Sequence, residues 1–148
     1  MKTINIYVGN HGFQGFNIQD AIDLLRFELS DLGISTVVTS ELYLDGINII
    51  FEEFSSPSFR ASLTELFETR DHRLIMIATE VMRDEIFDSA GSKTREFQGG
   101  VYTSGSDYWK IRSAGFWDVK DLFSAIISCG EDGYEEMKKS PKLHNSNV

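Results

Sequence analysis

Five short apolar runs, separated by stretches with helical spacing, constrain this chain more than any other feature of its sequence. TINIYV (3–8), ISTVVTS (34–40), INIIF (47–51), RLIMIAT (73–79) and SAIIS (124–128) are rich in β-branched residues. A strand buried on both faces reads as such a continuous apolar run, whereas a strand with one wet face alternates. Between the runs the period changes. Ile18, Ile22, Leu25, Leu29 and Leu32 step by four, three, four and three. They form one apolar stripe on a helix opened by Asn17, with Asp20 as a weak capping-box partner, and closed by Gly33. Ser56-Pro57 pairs an N-cap serine with proline at the first helical position, and Phe59, Leu63, Leu66 and Phe67 give the buried face. Ser106 opens SDYWKIRSAGFWDVKDLF, where Tyr108, Ile111, Val119 and Leu122 roughly share a face and Gly115 weakens or divides the helix. Glu131 to Lys139 is a short last helix, stopped by Pro141.

Alternation of this kind predicts an α/β fold: a single Rossmann-like three-layer domain over residues 1–140, with about five parallel strands and helices on both faces. Residues 141–148 read as a frayed tail. From Arg83 to about Gly105 the pattern fails, and REFQGGVYTSG reads as a long loop with room for one short helix. A chain of 148 residues buries roughly 70% of its unfolded surface, so it needs no staples. Eleven Phe imply a core rich in aromatics. Cys129 is the only cysteine, which excludes an internal disulfide; without a His partner it reads as a buried structural thiol. No apolar run approaches ~20 residues and MKTINIYVG lacks a signal-peptide core, so no membrane span and a cytoplasmic location are expected. A net charge of −9 argues against nucleic-acid binding, which needs clustered cations on phosphates.

Doubly wound sheets hold ligands beyond the carboxyl ends of their strands. That rule selects the loop after the first run, where YVGNHGFQGFN sets Gly9, Gly12 and Gly15 three apart. The dinucleotide fingerprint is G-x-G-x-x-G; here the spacing differs and neither Lys nor Arg is present. The loop is therefore a phosphate cradle, a seat for an uncharged hydroxyl-rich ligand, or a wide turn. Its candidate binding residues are Asn10, His11, Gly12 and Phe13. Glu52 and Glu53 follow the third run, Thr79 and Glu80 end the fourth, and Ser128 and Glu131 flank the turn after the fifth. Carboxylates converging there suit hydrogen bonds to sugar hydroxyls or general acid–base work, with His11 and Glu80 as catalytic candidates. Alternatively Glu52 and Glu53 point to opposite sides and one faces water. Glu41, alone at a strand end, reads as a surface acid. No cluster has metal-ligand spacing, no serine sits in a G-x-S-x-G elbow, and no cofactor is implied. Tyr102, Tyr108, Trp109, Phe116 and Trp117 form either core or a protein-docking face.

Two stretches resemble the N-terminal, acceptor-side half of GT-B glycosyltransferases. The opening strand, glycine-bearing loop and helix ending in LSDLGISTVV are similar to that family's start. YWKIRSAGFWDVKDLFSAIISCGEDGYEEMKKS is similar to the helix, strand and turn before its interdomain linker. The resemblance implies binding of a saccharide or other polar acceptor at a rim of Asn10, His11, Gly12, Glu52, Glu80 and Ser128. Strand ends that carry small or polar residues and no basic ones agree with it. It also implies that catalysis requires a donor-binding partner domain. Two other classes stay open: a non-enzymatic module docking a partner protein, and a small nucleotide- or flavin-binding enzyme. A phospho-acceptor site is disfavoured, because the first run ends without an acidic pair and the last lacks a lysine.

Overall fold

The computed structural model describes residues 3–9, 18–69, 73–83, 86–87, 95–97, 100–102, 107–128 and 130–143. All five apolar runs are strands of one parallel sheet. The strands β1 (Ile4–Tyr7), β2 (Thr36–Thr39), β3 (Ile47–Phe51) and β4 (Arg73–Ala78) are joined late in the chain by β9 (Ala125–Ser128), in the order β2-β1-β3-β4-β9. β1 is flanked on both sides in register, Tyr7 opposite Thr39 and Ile50, and Ala78 lies opposite Ser128. Strand order reverses between β1 and β3, and their carboxyl ends define the switch point of this doubly wound sheet.

Side chains alternate across the sheet. Ile6, Ile49, Phe51 and Ile77 pack with Ile18 and Ile22 of the segment leading into and forming α1 (Gln19–Asp31). On the other face Tyr7, Ile50, Leu74, Met76, Ala78 and Ile126 meet α2 (Pro57–Thr69), α3 (Asp107–Val119) and α4 (Glu131–Lys139) through Phe59, Leu63, Leu66, Phe116, Val119 and Met137. This is the expected three-layer arrangement. The second core is rich in aromatic rings: Tyr7 stacks on Phe59 at 5.1 Å between ring centres, and Phe54 meets Phe59, Phe116 and Phe123 at 5.7–6.1 Å.

Helix ends follow their local chemistry. Ser56 Oγ accepts the Phe59 N–H at 3.3 Å, the N-cap bond expected before Pro57. At the end of α1, Gly33 N–H donates to Ser30 O and Ile34 N–H to Leu29 O, the paired bonds of a Schellman close. Asn17 lies outside the described residues. α3 runs through Gly115 without interruption and tightens into a 3-10 turn only at Lys120–Leu122. Gly115 is required there, since any Cβ would collide with the Phe54 carbonyl oxygen.

The expected faces need correction at three positions. Leu32 is 74% exposed because it stands past the last turn of α1; Ile111 is 52% and Phe67 47% exposed. In α3 the buried side holds Arg112, Ser113, Phe116 and Val119, a stripe rotated from the expected one.

The expected loop over 83–105 contains strand pairs. β5 (Met82–Arg83) pairs antiparallel with β6 (Ile86–Phe87), and β7 (Arg95–Phe97) with β8 (Gly100–Tyr102). Strands of two or three residues are too short to show a period. Phe87 anchors the first pair, its N–H on Ser113 Oγ at 2.9 Å and its ring edge-on to Phe116. Pro141–Leu143, read as the start of a frayed tail, form a 3-10 turn with Leu143 buried; 144–148 lie outside the described residues.

Candidate functional site

β3 delivers Glu52 and β4 delivers Thr79 to neighbouring positions at the carboxyl rim. Glu52 is fully buried. Its Oε2 accepts the Thr79 N–H and its Oε1 meets the Thr79 hydroxyl, each at 2.5 Å. From α3, Arg112 reaches in: one terminal nitrogen donates to Glu52 Oε1 at 2.7 Å and to the Glu52 carbonyl at 2.5 Å. Its Nε lies 3.7 Å from Glu53 Oε2, and Glu53 is itself buried, its Oε1 accepting the Ser55 N–H at 3.0 Å. Burial pushes the Glu52 carboxyl up to about 7; Arg112 and the two Thr79 bonds pull it down, and the Glu80 charge adds to the rise. Four expected site residues, Glu52, Glu53, Thr79 and Glu80, are therefore one electrostatic cluster. The reading that sends one of the adjacent glutamates to water is corrected, because both are buried.

Arg112 is the member of this buried cluster that the sequence reading missed. The strand ends themselves carry no basic residue; the cation reaches the rim from α3. The available signal was the spacing of Arg112, Phe116 and Val119, four and three apart, which places a cation on an apolar helical stripe.

A second polar cluster occupies the same sheet face near β2. Asn5 and Asn48 are register partners on β1 and β3, both fully buried, and Asn5 Nδ2 donates to Asn48 Oδ1 at 2.9 Å. Asn5 Nδ2 also donates to the Glu41 carbonyl, and Thr39 Oγ1 donates to Asn5 Oδ1. Asn48 closes on Tyr43 in both directions, accepting its N–H at 2.7 Å and donating to its carbonyl at 2.9 Å. These bonds fix the 39–43 segment beside α2.

Between that segment and α2 lies a groove of about 400 Å³, lined by Tyr7, Ser40, Glu41, Leu42, Leu44, Ser62, Glu65 and Leu66. Tyr7 and Ser40 stand at the carboxyl ends of β1 and β2, and Leu42 and Leu44 lie on the connection that leads back to the start of β3. Gly9 passes so near that a Cβ would stand 2.6 Å from Ser40 O, so the glycine permits a close approach. Burial raises the Tyr7 phenol, holding it protonated as a hydrogen-bond donor.

The remaining expected residues divide. Ser128 stands at the rim opposite Ala78, but its hydroxyl donates to Gly130 O at 3.3 Å; Glu131 is exposed in the first turn of α4. Asn10, His11, Gly12, Phe13 and Cys129 lie outside the described residues, as do the side chains of Tyr102, Tyr108 and Trp109. Phe116 is core, and the half-buried Trp117 packs on it at 4.9 Å with Lys142 over its ring. Among the described residues no group of three His, Cys, Asp or Glu could hold a metal ion, and no helix is long and apolar enough to cross a membrane. Compared with protein-family models, curated proteins and solved structures, the chain has no significant match.

Proposed function

We propose that the domain binds a small hydroxyl-rich ligand of the saccharide class in the groove between residues 40–44 and α2, as the acceptor side of a glycosyl-transfer system. The donor would then be held by a partner domain. One observation carries the reading: the lining combines hydroxyls (Tyr7, Ser40, Ser62), carboxylates (Glu41, Glu65) and an apolar floor (Leu42, Leu44, Leu66), and includes no Lys or Arg. Carboxylates accept charge-assisted hydrogen bonds from sugar hydroxyls, and apolar side chains cover the C–H faces of a sugar ring. A nucleotide phosphate would meet like charge. Tyr7 brings one end of the groove to the carboxyl end of β1, one of the two strands that flank the switch point. Glu52 and Glu53 support the rim from within, while Glu80 and His11, the latter outside the described residues, are the catalytic candidates.

Titrating neutral oligosaccharides against the isotopically labelled protein tests this. Amide shifts should appear at Tyr7, Ser40–Leu42 and Leu66, and sugar nucleotides, NAD and FMN should leave these positions unmoved. At ~100 times its dissociation constant a ligand adds about 2.7 kcal/mol of stability, so a thermal shift should accompany the titration. A folded spectrum unmoved by any saccharide would reject the reading, and a nucleotide response would replace it with a phosphate site.

A further inference from the structure

Each wall of the groove beside β1 contributes one acid and one hydroxyl residue. Ser40 and Glu41 come from the segment after β2; Ser62 and Glu65 come from α2, three apart and so on one helical face. Tyr7 joins the lining from β1. Its side chain is only 8% exposed and its ring is stacked on Phe59. A Cβ on Gly9 would stand 2.7 Å from the Tyr7 hydroxyl oxygen and 2.6 Å from the Ser40 carbonyl oxygen, so the phenol lies beside the Ser40 wall. Among the described residues that hydroxyl has no hydrogen-bond partner, although its side chain is more than nine-tenths buried. The ring is fixed in the core, and its polar tip is left for something that enters the groove.

Donors and acceptors in the lining are unequal. The Ser62 hydroxyl already donates to the Ser58 carbonyl at 3.1 Å, so toward the groove it can only accept. Ionised carboxylates accept and never donate. The protons of Tyr7 and Ser40 therefore stand against two carboxylates and the lone pairs of three hydroxyls. No Lys or Arg lines the groove, and the whole chain carries a net charge of −9. A ligand that complements this lining brings donors and positive charge. A sugar hydroxyl brings acceptor lone pairs along with its donor, an N-acetyl group adds a carbonyl, and a carboxylate or phosphate meets like charge. An ammonium group brings three donors, no acceptor and a positive charge. Resting on the saccharide reading of this groove, we infer that its ligand is an amino saccharide: the protonated amine is held between Glu41 and Glu65, the Tyr7 hydroxyl donates to a sugar oxygen, and Leu42, Leu44 and Leu66 cover the ring.

Three disaccharides with one glucose frame provide the test: cellobiose, di-N-acetylchitobiose and fully deacetylated chitobiose. Each is titrated into the isotopically labelled protein at pH 6, where a free amine is protonated. The deacetylated compound should bind about tenfold more tightly than cellobiose, because hydrogen bonds to charged groups are the stronger ones. Its largest amide shifts should fall near Glu41 and Glu65. Glu65→Gln should remove most of that preference, and so should ~0.5 M salt, which screens charges beyond a few ångströms. Equal affinity for cellobiose and the amine, or tighter binding of the N-acetyl compound, would overturn the amine and leave the saccharide reading standing. A preference that Glu65→Gln leaves intact would place the amine elsewhere and overturn the site. A folded protein that responds to none of the three would reject both the proposal and the reading beneath it. Spermidine controls for charge alone: should it shift the same amides with equal affinity, the sugar frame contributes nothing and the proposal falls.

Discussion

Two buried polar clusters sit on the same face of one sheet, and they are built on opposite principles. The Asn5–Asn48–Thr39 cluster is neutral, and its amides are met by one another and by the backbone of Glu41 and Tyr43. The Glu52–Arg112 cluster is charged, and one guanidinium answers two carboxylates. A neutral network holds its geometry whatever the pH, because nothing in it titrates near neutrality. A buried charged one draws more energy from each contact but depends on the proton count, since taking a charge out of water is expensive unless it is paired. The first fixes the 39–43 segment; the second couples a helix to the rim.

The largest test of this contrast removes the cation. Arg112→Met should destabilise the fold by ~3–5 kcal/mol at neutral pH, because buried carboxylates lose their partner. The loss should shrink on acidification, when Glu52 takes up a proton. Denaturant midpoints at pH 5 and pH 8 check both parts, and a pH-independent loss would mean that Arg112 acts by packing alone.

Next in size is the wild-type pH profile. With the carboxyl raised from 4.5 to about 7, ionising Glu52 in the folded chain opposes folding by about 3 kcal/mol. Stability should fall as pH rises between those values, and Glu52→Gln should flatten the curve. An unchanged slope in the variant would assign it to other groups.

How much of this contrast is visible in the sequence depends on how local its causes are. The strands are legible because burial on both faces forces unbroken apolar runs, and the α2 cap because Ser56 and Pro57 are adjacent. The rim positions of Glu52, Thr79 and Glu80 follow from the strand ends. Arg112 is not legible as their partner, because its contacts lie 60 residues away in the chain and only the folded packing of α3 brings them together. The rotated face of α3 hid it further: Gly115 suggested a break, whereas it is the point of contact with the Phe54 carbonyl. Asn5 and Asn48 stand inside two apolar runs, and only the register makes them neighbours. Leu42 and Leu44 line the groove from a segment without any period.

A smaller effect should convert one kind of cluster into the other. Asn48→Asp keeps an acceptor for the Tyr43 N–H and for Asn5, but loses the donor to the Tyr43 carbonyl. The cost should be about 1–3 kcal/mol, the usual consequence of a buried group left unsatisfied. Burial should also raise the new carboxyl, so stability that was flat on this side of the sheet should now fall with rising pH. A destabilised but pH-flat variant would show that water reaches the site.

The smallest effect on stability separates the neutral cluster from the groove beside it. Glu41 enters the network through its backbone alone: its carbonyl accepts from Asn5, and its N–H donates to the Thr39 hydroxyl. Glu41 is also a lining residue of the groove. Glu41→Gln should therefore change stability by no more than about 0.5 kcal/mol, as for a surface substitution that disturbs no cap or core. Oligosaccharide affinity should weaken by about tenfold, since a charged acceptor is replaced by a neutral one. Thermal melts and the amide titration measure the two effects on the same sample. Stability lost together with affinity would mean that the Glu41 carboxylate holds the 39–43 segment in place, and the division between scaffold and site would then lie elsewhere in the rim.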